Sequence, residues 1–197
     1  MLSGVVIDKR EVRRVALLAE TLVEEWLNRQ GYFTVRGVKG GVREMDLLAV
    51  RHSSSSDPEG LHVEVQASFR PNNYVARLAR QHAKDRGVGR TAAIARTPEM
   101  VREAAQEWGH DKFLHPVKFS RREAFWPGLS WGYVLVHAVV KDPPGLGEFR
   151  REGMRLIYLK RVLEDLCRGS STLKPAVRQY LEGIVPTETS CMKSRTG

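Results

Sequence analysis

The chain has 197 residues, enough for one domain with a sizeable core, and its 42% hydrophobic and 28% charged content is ordinary for a globular protein. No apolar run approaches the roughly 20 residues of a membrane helix, so no membrane partner is expected, and the absence of a secretory apolar core near the start, with Cys167 and Cys191 far apart and in no metal-ligand pattern, predicts a cytoplasmic protein with reduced thiols. The charge is unusual: 32 Lys and Arg against 23 Asp and Glu leave a formal +9, which favours a polyanionic partner because neutralised phosphates release their counterions.

Residues 9–30 predict a long amphipathic helix, with Val12, Val15, Ala16, Ala19, Leu22, Val23, Trp26 and Leu27 at helical spacing, Asp8 as its cap and Gly31 after its last turn. Glu20 borders the apolar stripe one turn beyond Ala16, whereas Glu24 and Glu25 point toward water; it is the acid best placed to look along a sheet. Taken alone, such a residue is ordinarily a solvated helix glutamate. Residues 32–36 predict a short strand, and 37–41 a flexible turn whose three glycines and neighbours Arg36, Lys39 and Arg43 suit a phosphate, although the spacing matches neither a dinucleotide site nor a P-loop.

Residues 45–50 form an apolar strand interrupted by one charge, Asp46. In residues 62–68 the alternation is clean: Val63, Val65, Ala67 and Phe69 share one face, His62, Glu64, Gln66 and Ser68 the other. Residues 51–60, with four serines and Asp57-Pro58-Glu59-Gly60, predict a loop joining the two runs as an antiparallel hairpin. That pairing would set Asp46 beside Glu64. Two adjacent carboxylates cost stability unless a proton or a cation sits between them, and Mg2+ accepts carboxylates together with waters and phosphate oxygens. The plainer reading is an edge strand with a solvated polar face.

Ala19-Glu20 in an apolar helix, Gly31-Tyr32-Phe33-Thr34-Val35-Arg36, the glycine-rich basic turn, Met45-Asp46-Leu47-Leu48-Ala49 and Val63-Glu64-Val65-Gln66 follow one another in an order that resembles the core of the PD-(D/E)XK nucleases. Within that superfamily the pattern is similar to archaeal Holliday-junction resolvases and Mrr-type nucleases, over residues 9–70. The resemblance implies an α/β restriction-endonuclease-like core, a mixed central sheet flanked by helices, over residues 1–120. Beyond it, alternating strand and helix signals predict an α/β extension or small subdomain over 121–185, and a Thr, Ser, Lys and Arg composition with almost no apolar anchor predicts a disordered tail over 186–197. The resemblance implies catalytic roles for Glu20, Asp46, Glu64 and Gln66. It also implies a Mg2+ site, with Mn2+ able to substitute, on Asp46, Glu64, the Val65 carbonyl and Glu20. Gln66 stands where the signature has lysine: glutamine can hydrogen-bond a water but brings no charge. Lys84 or Lys39 are the candidates to supply the missing cation. A homodimer is an expectation by analogy with the fold's resolvases and restriction enzymes.

Further along, residues 74–86 predict a basic helix with Arg77, Arg80 and Lys84 able to track a phosphate backbone, 91–96 a buried strand and 98–108 a helix opened by proline. His115 to Phe119 predicts an edge strand and 121–127 an aromatic, basic loop; His110 and His115 lack the acid or cysteine cluster of a zinc site. A strand over 131–140, a helix over 147–152, a strand over 154–159 and helices over 161–168 and 174–181 complete an α/β half. Two functions therefore compete: a metal-dependent nuclease, with DNA the expected substrate, and a non-catalytic nucleic-acid-binding protein on a degenerate nuclease fold. Three clustered acids favour the first, since a pure binder of polyanions gains nothing from them, and Gln66 favours the second.

Overall fold

The structure, a computed structural model, describes residues 9–53, 56–67, 77–92, 94–138 and 143–168. The elements are α1 (Lys9–Arg29), β1 (Phe33–Gly40), β2 (Arg43–Ser53), β3 (Ser56–Gln66), α2 (Arg80–Asp85), α3 (Pro98–Gly109), a π-helical segment (His110–Leu114), α4 (Pro116–Phe125), β4 (Trp131–His137), α5 (Pro143–Arg151), β5 (Arg155–Tyr158) and α6 (Leu159–Arg168). The strands form one sheet in the order β1-β2-β3-β4-β5, with the β1/β2 and β2/β3 pairs antiparallel and β3/β4 and β4/β5 parallel. The fold is thus α/β, with a mixed sheet flanked by helices, and the strands of the second half extend the same sheet.

The period of two along β3 separates two cores. Leu61, Val63 and Val65, with Leu47, Ala49, Val134 and Val136, pack under α1 and α6 through Ala19, Val23, Leu27, Val162 and Leu166. The opposite face carries Leu135 and Leu156 against Ala104, Ala105, Phe113 and Phe149 of α3, the π-helical segment and α5. Close packing of α4 on β1 depends on Gly40, where a Cβ would come within 2.5 Å of Val117.

Several expectations change. The turn predicted over 37–41 is mostly strand: β1 runs to Gly40, paired with Arg43, so that Gly41-Val42 alone makes the turn. The antiparallel hairpin expected around residues 51–60 is present, but strand takes up most of the predicted loop, with β2 reaching Ser53 and β3 starting at Ser56. Pro58 is tolerated because β3 meets β4 only from Gly60 onward. The described part of residues 91–96 is no strand, and the predicted basic helix shrinks to Arg80–Asp85, with Arg77 ahead of it.

The predicted edge strand and aromatic loop over 115–127 are largely α4, opened by Pro116 and capped where His115 Nδ1 accepts the Val117 N–H at 3.3 Å. Its inward residues are Lys118 and Arg122, so the helix carries charge where an apolar stripe would have announced it. Ser68, the helix expected over 174–181 and the tail from 186 lie outside the described residues.

Candidate active site

The strands β2 and β3 part at the candidate site. Their backbone ladder ends at Leu47↔Val63, so one step further the register sets Asp46 opposite Glu64, as the hairpin predicts. Across β1, the same step brings Gly37, between the pairs Arg36↔Leu47 and Val38↔Met45, opposite Asp46; its left-handed φ of 61° favours glycine. The Val65 N–H donates to Asp46 Oδ2 at 2.7 Å, taking a side-chain oxygen where the ladder has ended. A strand residue's N–H and C=O point to the same edge, so the Val65 carbonyl looks into the same opening.

Glu64 is fully buried, and both its oxygens are held. Lys112 Nζ, from the π-helical segment, donates to Oε2 at 2.8 Å; Lys118 Nζ, from α4, donates to Oε1 at 2.5 Å. His62, buried two residues earlier on the same face, lies with Nε2 3.1 Å from Oε1, while Arg122 Nη1 is 3.0 Å from its Nδ1 and 2.8 Å from the Phe113 carbonyl. Arg122 can only donate, which makes Nδ1 the acceptor and assigns the His62 proton to Nε2, facing Glu64. The Arg122 guanidinium also lies 5.4 Å from the Tyr133 ring centre.

These contacts set the protonation states. Burial alone would raise Glu64, but the His62 hydrogen bond and the two ammoniums outweigh it and hold the carboxyl down at about 2. Burial pushes His62 down to about 4, so the ring is neutral near pH 7. Lys118 is lowered by burial against the pull of Glu64; at 2.5 Å from an ionised carboxylate it is the ammonium. Lys112 is less enclosed, with 32% of its side chain exposed, and the attraction of Glu64 outweighs its burial and raises it. Asp46 goes the other way: burial, then the charge of Glu64, raise it to about 7 against the Val65 hydrogen bond.

Glu20 is half-buried on α1, raised by burial and sensing Arg36, Glu44 and Glu64, which places it at the margin of the acid pair. Among the described residues, no three His, Cys, Asp or Glu side chains converge as a ready ligand cluster. Gln66 lies on the Glu64 face, paired with His137, and its carbonyl accepts the Ala138 N–H at 3.2 Å.

The cations at Glu64 are Lys112 and Lys118; Lys84 on α2 and Lys39 in β1 do not reach it. Of the residues expected to meet phosphates, Arg36 is tied to Thr21 and Glu24 and Arg80 to Glu107 and Asp111, while Lys39, Arg77 and Lys84 are exposed and Arg43 is half-buried. The two lysines escaped the sequence reading because they lie 48 and 54 residues from Glu64, in segments without apolar periodicity.

Hard oxygen donors suit Mg2+. Asp46 has one oxygen without a hydrogen bond from any described residue, and the Val65 carbonyl faces the opening beside it. Glu64 can join through Oε2 when the partly exposed Lys112 swings away, while Lys118 keeps Oε1. Asp46 and the Val65 carbonyl are thus the residues that could hold a divalent ion, with Oε2 of Glu64 available to it only if Lys112 leaves.

No protein-family model and no curated protein matches the chain. Among solved structures, that of a protein of unknown function, AF1548, aligns over 87% of this chain and 79% of its own at 14% identity, with a TM-score of 0.44. That likeness is too weak to transfer fold family or function.

Proposed function

We propose that the chain is a metal-dependent nuclease that hydrolyses phosphodiester bonds, with DNA as its expected substrate. The observation that carries this reading is the opening between β2 and β3, where Asp46 stands opposite a buried, ionised Glu64 and the Lys112 ammonium lies against it. Bound there, Mg2+ would lower the pKa of a water and neutralise charge on the phosphate. Asp46 and the Val65 carbonyl would hold the ion, and Glu64 is fixed in place by Lys118 and His62. Lys112, once off Glu64, is a mobile cation able to donate to a phosphate oxygen. It supplies the charge that Gln66 lacks, leaving Gln66 to hydrogen-bond the attacking water. Lys112 sits on a π-helical turn, a local form often found at functional sites.

The non-catalytic reading has one observation in its favour: both Glu64 oxygens are already neutralised by lysines. Titration calorimetry of Mg2+ and Mn2+ into the wild type and Asp46→Ala, paired with cleavage of supercoiled plasmid, separates the two. The nuclease reading expects binding and cleavage in the wild type and neither in the variant. No metal binding by the wild type, with or without DNA, would favour the binder.

A further inference from the structure

A second chemical feature lies at the other side of the sheet. The edge strand β5 is wrapped by a cavity of about 840 Å³, lined among others by Trp26, His137, Tyr158, Arg150, Arg155 and Arg161. Three arginines line it, and among the described residues no acid does. Two of the arginines are exposed and make only long contacts with half-buried acids, Arg155 with Glu59 at 3.7 Å and Arg161 with Asp165 at 3.9 Å, contacts weak enough to yield to a stronger anion, while Asp165 also accepts from Trp26 Nε1 at 3.2 Å.

The aromatic part is built as a platform. His137 and Tyr158 pair across β4 and β5 and their rings stack, 5.5 Å between centres at 23°, with Tyr158 40% exposed. Gln66 pairs with His137 on the other side, so Gln66, His137 and Tyr158 form one row across the C-terminal ends of three parallel strands. Two strand spacings separate the ends of that row, roughly 10 Å from Gln66 to Tyr158. The crevice at the C-terminal ends of parallel strands is where open α/β sheets bind ligands.

We propose that this cavity binds a nucleoside phosphate, with the base stacked on the open face of Tyr158 and the phosphate held by Arg150, Arg155 and Arg161. The nucleotide comes either from an unpaired strand that leaves the Asp46 opening along the Gln66–His137–Tyr158 row, or from a free mononucleotide. An aromatic platform with flanking guanidiniums is the means by which proteins hold unpaired nucleotides without reading their sequence. A paired duplex cannot offer it a base face. The ligand class rests on the nucleic-acid reading above, but not on cleavage.

The test is binding in EDTA, where no hydrolysis occurs, of a labelled single-stranded oligonucleotide, a blunt duplex of the same sequence and free dAMP. The proteins are the wild type, Tyr158→Ala and the double variant Arg155→Ala/Arg161→Ala, each checked by thermal melting; all three side chains are at the surface, so folding is expected to survive. Single-strand affinity should fall about tenfold or more in Tyr158→Ala. In the double variant, the slope of log affinity against log salt should shrink by about 0.7 per arginine removed. Duplex affinity should stay within about twofold of wild type. Loss of dAMP binding in the same variants would identify a free nucleotide as the source, and loss for the oligonucleotide alone a strand. Unchanged single-strand and dAMP binding in both variants would overturn the cavity proposal while leaving the nuclease reading intact. Absence of any nucleic-acid or dAMP binding by the wild type would overturn both.

Discussion

Along β3 the residues alternate between two environments. Leu61, Val63 and Val65 face an apolar layer under α1 and α6, where any well-packed hydrocarbon of the right size would serve. His62 and Glu64, interleaved with them, are equally buried but face Lys112, Lys118 and Arg122. The first face is stabilised by removal of area from water, whereas the second must match charges and hydrogen bonds one by one. A buried ionic cluster of this kind is weak evidence for stability as its purpose, because apolar packing would do as well or better. What it supplies is a fixed carboxylate beside the Asp46 opening.

The largest difference between the faces should appear on truncation. Glu64→Ala leaves Lys118 and Arg122 in an apolar interior with no anion and should destabilise by about 3–5 kcal/mol. Leu47→Ala on the other face should lose about 2–4 kcal/mol through a cavity. Urea unfolding distinguishes their origins. The folded Glu64 value is depressed, so its stabilisation is present above about 4.5 and lost as pH falls toward 2. The Glu64→Ala deficit should therefore shrink over that window, and the Leu47→Ala deficit should not.

Asp46 gives the opposite sign. Its folded value is raised from 3.8 to about 7, so the folded state holds its proton more tightly than the unfolded chain. The associated stability is complete below about 3.8 and lost as pH rises through 7. Asp46→Asn, which can still accept the Val65 N–H, should be the more stable protein at pH 8 by on the order of 2 kcal/mol, with no advantage at pH 4. Mg2+ should raise the melting temperature of the wild type and leave the variant unmoved. An Asn variant less stable than wild type at pH 8 would show that Asp46 is not strained by its neighbours.

The smallest stability effect separates the two lysines. Lys118→Met removes the enclosed partner, which is 4% exposed, and should destabilise most; Lys112→Met, at the partly open position, should destabilise less, because Lys118 and His62 still hold Glu64. The order inverts for catalysis: Lys112→Met should lower cleavage by about 100-fold or more, read on plasmid under conditions where both variants remain folded.

The apolar face was readable because its periods are those of strand and helix: Val63 and Val65 alternate, and Val15, Ala19, Val23 and Leu27 recur at helical spacing. The Asp46–Glu64 juxtaposition followed from the hairpin register. The charged layer above it did not, because its elements announce nothing by hydrophobicity. Lys118 and Arg122 occupy the inward positions of α4, which made Pro116 to Phe125 resemble a strand and a loop, and the π-helical segment has no sequence period of its own. Nor does chain distance help: no local pattern says that an ammonium 48 residues on will land on a strand carboxylate. Gln66 stands where the resemblance expects a lysine, and Lys84 and Lys39 were the candidates named to replace it; the fold instead brings Lys112 and Lys118 onto Glu64.

Catalysis at the Asp46 opening is tested by cleavage of supercoiled plasmid with Mg2+ by wild type, Asp46→Asn and Lys112→Met, each confirmed as folded by its melting curve. The wild type should give nicked or linear product, and either variant little or none. Equal cleavage by all three would contradict catalysis at that opening and place the chemistry elsewhere.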